Sequence, residues 1–345
     1  MQKIFLRGFQ FVSAIYAVCV LAWVIVHFIL GDGTWWLFII NAFSVYLFLP
    51  APLFLLMALV ARRKLLLIGL GLVLMAGLIG HGYVLLPKFS AAPANAPRLR
   101  VMTFNMLFIS RSAAKTLATL RAADADVIAI QELNPLIAQA LQTELLREYP
   151  YQILAPSWQP NGLGTISRFP LTLTQQTLDA DGFNGQPQIM ALDFHGQPIT
   201  VINVHPSAST IEDGDSMMRG VRARTAEIKA IARFAQAQPN PLIVLTDMNA
   251  TPSNDGYSDM AAALSDAWRE AGWGLGHTFP NEITRRTRRF GGGWQITLRW
   301  LIRIDYVWHS RHFAAVDVTT GLEDGQSDHR ALVATLALVS LSPRP

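Results

Sequence analysis

Three apolar stretches near the start of the chain limit its fold more than anything else in its 345 residues. Residues 11–30, 35–60 and 65–87 contain no Asp, Glu, Lys or Arg. Each reaches about 20 residues or more, enough to cross a hydrocarbon core of about 30 Å as a helix. A soluble domain cannot readily bury three such segments in succession, so the sequence predicts three transmembrane helices in a membrane domain over residues 1–87. Lys3 and Arg7 precede the first stretch, as they would a signal peptide. The stretch is too long for a signal h-region, however, and two more apolar segments follow it.

Basic residues near the segment ends set the expected orientation. Lys3 and Arg7 lie before the first segment, and Arg62, Arg63 and Lys64 join the second to the third. The loop Gly31-Asp32-Gly33-Thr34 carries no positive charge. This pattern places the N-terminus in the cytoplasm and, after three crossings, everything beyond residue 87 outside it. The expectation is a multi-pass protein of the cell (inner) membrane with an extracytoplasmic domain and the bilayer as a partner. The single cysteine, Cys19, lies in the first apolar stretch, so the domain has no internal disulfide. A domain of this size is held by its core without one. A net charge of +4 suggests anionic partners only weakly.

Residues 88–99 (KFSAAPANAPRL) are rich in Ala and Pro and read as a semi-extended linker. The domain then runs over 100–338, leaving 339–345 as a tail. Strands are expected at 100–104, 127–130, 151–154, 163–167, 189–194, 199–204, 242–245, 304–308, 314–318 and 330–337. Helices are expected at about 112–123, 134–148 and 217–236. Only His195-Gly196-Gln197-Pro198 separates 189–194 from 199–204, too short for a crossover, so those strands must pair antiparallel. Mixed connections of this kind point to packed sheets with helices outside, not one parallel sheet. On the helix at 217–236, Arg219, Arg222, Arg224 and Lys229 read as a solvent face.

Six short polar motifs punctuate the domain, most at the end of an apolar run. They are Thr103-Phe104-Asn105, Gln131-Glu132, Asn203-Val204-His205, Asp247-Met248-Asn249, Arg303-Ile304-Asp305-Tyr306 and Ser327-Asp328-His329. Asp247 and Asn249 are two apart, so in extended chain they project to one side and can face one ligand. Asp328 and His329 are adjacent and cannot share a face within a strand, which puts them at a turn before it. Each motif also has a plainer reading: Asn105 and the Asp247–Asn249 pair suit turns, and His205 or His329 suits a structural or surface histidine.

Taken in this order, the six motifs resemble those of the endonuclease/exonuclease/phosphatase superfamily, the deoxyribonuclease-I-like phosphodiesterases. The resemblance covers roughly residues 100–338 and implies a four-layer α/β sandwich, here preceded by three transmembrane helices. It implies hydrolysis of a phosphoester by in-line attack of water with a divalent cation, Mg²⁺ or Mn²⁺. By the same resemblance Asn105, Glu132 and Asp328 hold the metal, and the Asp305–His329 pair is the general base. Asp247 positions the water, while His205 and Asn249 contact the phosphate. Phosphodiesters resist attack because negative oxygens shield phosphorus, so a cation, a base and donors to the phosphoryl oxygens are the parts such chemistry requires.

Gly162–Pro170 resembles a family segment bordering the site, which makes Arg168 a candidate substrate contact. Thr278-Phe279-Pro280 resembles another, shortly before the Asp305 motif. Pro206 follows His205 where many relatives have Thr or Ser, and no acidic partner orienting His205 is assignable from the sequence. Between Thr278 and Asp305, Arg285, Arg286, Arg288 and Arg289 are followed by Phe290, Trp294 and Trp300. Such a loop suits a nucleic-acid backbone or a membrane interface. The resemblance implies nucleic acid as the default substrate, and the membrane segments favour as the alternative a lipid headgroup or lipid-linked phosphate. A non-catalytic membrane binding protein on the same scaffold is a further alternative.

Overall fold

The computed structural model describes residues 2–86, 88, 92–209, 212–280, 283–286, 295–321 and 326–339, with backbone alone at 2–6, 283–286 and 295–298. It divides into two compact units, Met1–Leu86 and Pro87–Pro345. Residues 287–294, including Arg288, Arg289, Phe290 and Trp294, lie outside the described residues, as do the side chains of Arg285 and Arg286.

In the first unit α1 spans Gln2–Leu30. The middle apolar stretch is not the single helix expected. It is divided into α2 (Trp35–Ala42), α3 (Ser44–Leu47) and α4 (Ala51–Val60), with a bend of 72° between Ala42 and Ser44 and a second interruption before Ala51. Pro50 and Pro52 supply no N–H to a continuing helix, and Pro50 becomes the N-cap of α4 instead. Asn41 adds a second cause, since a buried amide needs partners. It donates to Gly31 O (3.0 Å) and Asp32 Oδ1 (2.8 Å), and accepts from Trp23 Nε1 (3.1 Å). Helix α5 covers Lys64–His81, and its His81 Nε2 lies 3.5 Å from Ser44 Oγ. Arg7–Leu30 and Lys64–Leu85 are long and apolar enough to cross a membrane; counting the bent pair as one span makes three.

The second unit opens with β1 (Arg98–Asn105), α6 (Ala113–Ala123), β2 (Val127–Gln131) and α7 (Pro135–Glu144). Asn134 caps α7, its Oδ1 accepting from Ile137 N (2.9 Å), with Pro135 at the first turn. There follow β3 (Tyr151–Ala155), β4 (Leu163–Ser167), β5 (Leu171–Leu173), β6 (Gln188–Phe194) and β7 (Gln197–Val204). Next come α8 (Gly214–Ala237), β8 (Leu242–Asp247), α9 (Asp255–Ala261), β9 (Ser265–Asp266) and α10 (Ala267–Ala271). The hairpin β10 (Ile283–Arg286) and β11 (Gln295–Leu298) precedes β12 (Asp305–His309), β13 (Phe313–Thr320) and β14 (Leu332–Leu338). The pieces unexpected from sequence, β5, α9, β9, α10 and the hairpin strands β10 and β11, are seven residues or shorter and lack a clear hydrophobic period.

Two six-stranded mixed sheets result, ordered β13-β14-β1-β2-β4-β3 and β5-β6-β7-β8-β12-β9. As expected, β6 and β7 pair antiparallel, with Leu192 opposite Ile199. The inner faces meet through Val101, Val127, Ala129, Met190, Val201, Ile243, Leu245 and Val307. The outer face of the first sheet packs Met102, Phe104, Ile128 and Ile130 against α6 and α7 through Leu117, Leu120, Ile137 and Leu141. That of the second packs Ile202, Val244, Tyr306 and Trp308 against α8 and α9 through Ile228, Ile231, Tyr257 and Met260. This is the four-layer α/β sandwich. Each fully buried aliphatic side chain contributes about 1.5–3 kcal/mol of burial, which locks the two sheets face to face.

Candidate active site

Strand alternation selects the side chains that reach the site. Leu99 and Val101 point into the inter-sheet core, so Thr103 and Asn105 share their face. Gln131 follows Val127 and Ala129 in the same way; Asn203 and His205 follow Val201, and Asp247 follows Leu245. Strands β1 and β2 run parallel, as do β7 and β8, so these residues all emerge at one end of the sandwich. Strand β12 runs against β8 and sets Asp305 opposite Asp247. Strand β14 runs against β1, which brings the preceding Ser327–His329 turn to the same mouth.

A buried amide network registers the two sheets behind that mouth. Thr103 Oγ1 donates to Gln131 Oε1 (3.2 Å), and Gln131 Nε2 donates to Asn203 Oδ1 (2.9 Å). Asn203 Nδ2 in turn donates to Gly164 O (2.9 Å). Glu132 then leaves β2 with a left-handed backbone (φ 58°) that turns its side chain into the site.

Asn105 joins the acids. Its Nδ2 donates to Glu132 Oε1 (3.1 Å) and to Asp247 Oδ2 (3.0 Å), while its Oδ1 accepts from Leu107 N (3.0 Å). In this conformation Asn105 presents a donor, not a ligand oxygen, to the carboxylates. Glu132 Oε2 accepts from Phe108 N (3.0 Å).

Asp247 and Asp305 are cross-strand neighbours, and two like charges so placed repel. His329 offsets this: its Nδ1 lies 2.9 Å from Asp305 Oδ2 and its Nε2 3.7 Å from Asp247 Oδ2. Burial would lower the His329 pKa, but the charges of Asp305 and Asp247 push it up to about 10. Burial would likewise raise Asp247, yet His329, His205 and the Asn105 amide hold it well below the ordinary carboxylate range. Asp305 is lifted by burial, with His329 opposing.

His205 Nε2 lies 3.1 Å from Asn249 Nδ2 and 3.5 Å from Asp247 Oδ2. Burial would lower its pKa, but Asp247 outweighs that and raises it. Asn249 adopts a left-handed backbone (φ 52°), its N donating to Asp247 Oδ1 (2.9 Å). Asp328 is partly buried beside His329 and adds to the field that raises its pKa.

The structure thus gathers Asn105, Glu132, His205, Asp247, Asn249, Asp305 and His329, with Asp328 adjoining. Arg168 is not among them. It lies just beyond Ser167, which pairs with Val127, whereas the site lies past Gln131, which pairs with Leu163. At ~3.3 Å per residue this is the far end of the strand, about 15 Å from Glu132. There Arg168 binds Asp124 and Asp126 and stacks over Tyr149. Arg224, expected on a solvent face, is 2% exposed. It falls on the inward stripe Met217, Val221, Arg224, Ile228 and Ile231, a spacing legible in the sequence.

Sequence reasoning gave no role to Thr278 or to the Ser327 hydroxyl. Thr278 Oγ1 accepts from the N–H groups of Ile304 (3.2 Å) and Asp305 (3.3 Å). Ser327 Oγ donates to Asn105 O (2.6 Å) and accepts from His329 N (2.9 Å). Their only sequence signal was membership of short motifs.

Could these groups hold a metal? Asp247, Asp305 and His329 offer donor atoms within 4.8 Å of one another. Within this trio the His329 ring already bridges the two carboxylates, Nδ1 to Asp305 and Nε2 toward Asp247. Glu132 and Asp247 fit a hard cation better, being an oxygen pair drawn together by one amide, with Asp328 nearby.

The model of the Endonuclease/Exonuclease/phosphatase family matches residues 102–329, most of the chain, and the protein belongs to that family. Its members hydrolyse phosphoesters, and the chain is an enzyme of this class. No curated protein matches the sequence. The fold is similar to the endonuclease/exonuclease/phosphatase from Bacteroides vulgatus, with 17% identity over 70% of this chain and 99% of that one, at a TM-score of 0.51. It is also similar to TDP2 from Caenorhabditis elegans, with 16% identity over 70% of this chain and 74% of that one, at a TM-score of 0.50.

Proposed function

We propose that the protein is a membrane-anchored, Mg²⁺- or Mn²⁺-dependent phosphodiesterase acting on a lipid-borne phosphoester. The reaction rests on one observation: His329 clamped between Asp305 and Asp247, opposite the Glu132–Asn105–Asp247 line. A divalent cation held by Glu132, Asp247 and Asp328 would neutralise phosphoryl charge and cancel part of the Asp247 charge. Asp305 keeps one face of the His329 ring directed at the mouth by holding Nδ1. While Asp247 is fully charged, His329 stays protonated and acts as a donor; easing that charge brings it toward the pKa a base needs. Asp247 orients water, and His205 with Asn249 donates toward the phosphoryl oxygens.

The lipid assignment is supported by the rim beside Glu132. Phe108–Ser110, Leu133–Leu136 and Ser157–Trp158 are tied together there, Asn134 Nδ2 donating to Phe108 O (3.0 Å) and Ser110 O (2.7 Å), and Ser157 N to Leu133 O (2.9 Å). These loops expose Ile109 (62%), Leu136 (42%) and Trp158 (64%), with exposed Arg111 alongside. Apolar and aromatic side chains flanked by a cation suit the interfacial zone of a bilayer. The same Trp and Arg could stack and pair with nucleic acid, the second reading.

Orientation follows from charge. Counting the bent pair as one span keeps Lys3, Arg7 and Arg62–Lys64 on one side and puts the catalytic domain on the other. A re-entrant pair would separate those two basic groups and return the domain to the N-terminal side. The full chain in detergent or nanodiscs, assayed with each metal on phospholipid vesicles, single-stranded DNA, RNA and bis-(p-nitrophenyl) phosphate, tests the substrate. Turnover of lipid that Glu132→Gln abolishes supports the reading; turnover confined to nucleic acid overturns it. A reporter fused after Pro345 that is active only in the cytoplasm would defeat the orientation.

A further inference from the structure

His205 is 2% exposed, and among the described residues its Nδ1 meets no acid and no other hydrogen-bond partner. With only Nε2 engaged, by Asn249 and Asp247, the rest of its orientation comes from the backbone that carries it. Asn184 N donates to His205 O (2.9 Å), and both Asn184 Nδ2 (3.3 Å) and Asn249 Nδ2 (3.1 Å) donate to Pro206 O. Pro206 itself offers no N–H to fix the chain. The next residue supplies the hold. Ser207 N donates to Glu227 Oε2 (2.6 Å), Ser207 Oγ lies 2.6 Å from Glu227 Oε1, and Arg224 Nη1 donates to Ser207 O (2.9 Å).

We propose that Glu227 is the positioning acid of the His205–Asn249 pair, acting through Ser207 rather than by contact with the imidazole. Glu227 is fully buried on the inward stripe of α8, which also carries Arg224, so the clamp is built on a rigid element. Its carboxyl and the Ser207 hydroxyl form a chain with one further acceptor, because Ser207 Oγ also lies 2.7 Å from Gly182 O. A hydroxyl has one proton and cannot donate to both oxygens. A proton on Glu227 Oε1 closes the arrangement: Oε1 donates to Oγ, Oγ donates to Gly182 O, and Oε2 accepts from Ser207 N. Burial pushes the Glu227 carboxyl up, with the Ser207 bonds and Arg224 opposing. Gly182 (φ 101°) leaves room for this contact: a Cβ there would come within 2.9 Å of Glu227 Oε1.

The clamp thus fixes the Pro206 carbonyl, which holds the Asn249 amide beside His205. This rests on the reading that His205 and Asn249 act on the phosphoryl group, but it is testable without it. Glutamine at position 227 reproduces every bond, its amide donating to Ser207 Oγ and its carbonyl accepting from Ser207 N. In the full chain, Glu227→Gln should keep turnover of bis-(p-nitrophenyl) phosphate within about threefold. Glu227→Ala should lower kcat by ~10²-fold with KM little changed, and Ser207→Ala should fall between. The labelled His205 ring resonance, assigned with His205→Gln, should move in Glu227→Ala and stay in place in Glu227→Gln, whether or not the substrate is found. Equal loss in the Gln and Ala variants would overturn the proposal by making charge the requirement. So would an unmoved His205 resonance in Glu227→Ala, and so would a Glu227→Ala protein whose kcat loss appears only together with a lost melting transition.

Discussion

The two ends of the sandwich each set two aspartates against a basic side chain, to opposite effect. At the mouth, Asp247, Asp305 and His329 are nearly sealed from solvent, with side chains 1%, 0% and 6% exposed. At the far end Arg168 pairs with Asp124 and Asp126 where the side chains are 35%, 78% and 22% exposed. Water screens the second group, so its ion pairs stabilise little. The first group cannot be screened, so each charge moves its neighbours and a proton or cation must balance them. Burial, not residue identity, makes one end reactive and the other a surface ion pair.

That contrast should break first at the mouth. Glu132→Gln and His329→Ala should each reduce kcat/KM by ~10³-fold or more, with thermal unfolding close to wild type. Wild-type turnover in both variants would remove the site. Asp305→Asn should lower kcat by ~10²–10⁴-fold, since it frees the ring and removes its charge partner.

The same substitution sharpens the electrostatic side. In the metal-free protein His329 should titrate near 10, well above its unfolded value, as seen by labelled-histidine spectroscopy. A folded pKa raised in this way stabilises fully below about pH 6.5 and loses that contribution as pH rises toward 10. Asp305→Asn should bring the titration down and flatten this alkaline loss; an unshifted titration would contradict the clamp.

Next in size is a buried pair beside the mouth. Arg303 Nη2 lies 2.7 Å from Asp266 Oδ2, both nearly sealed, with the guanidinium over the Tyr306 ring. Arg303→Ala should cost about 3–5 kcal/mol in denaturant unfolding, because Asp266 is left buried without its cation. At the far end Arg168→Ala should cost under about 1 kcal/mol and leave kcat unchanged. A large catalytic loss in that variant would erase the distinction between the two ends.

Much of the site was legible because strands alternate. Asn105, His205, Asp247 and Asp305 each terminate or open an apolar run whose period of two aims them to one side, whereas Glu132 reaches the site through its left-handed backbone. Asp328 and His329 stood out as adjacent polar residues that no strand could present together. Arg168 failed for the same geometric reason: it sits at the other end of a strand whose beginning borders the site. Arg224 failed because its charge was given more weight than its place on a helical stripe. The interruption before α4 in the middle apolar segment is legible from Pro50 and Pro52, whereas the bend between Ala42 and Ser44 and the role of Asn41 needed the structure.

The sequence by itself determined which stretches are apolar enough for a membrane, which segments become strands and helices, and which polar residues cap them. Those are local properties, set by hydropathy, period and backbone donors. Only the tertiary structure decided that Asp305 lies opposite Asp247, that His329 comes between them, and that Glu227 grips Ser207 behind His205. These depend on strand order and on the register between two sheets, which join residues far apart in the chain, 142 positions in the Asn105–Asp247 contact and 222 in the Ser327–Asn105 contact. No local pattern encodes such pairings, because they arise from the burial of whole faces, and burial also sets the strength of the charges placed there.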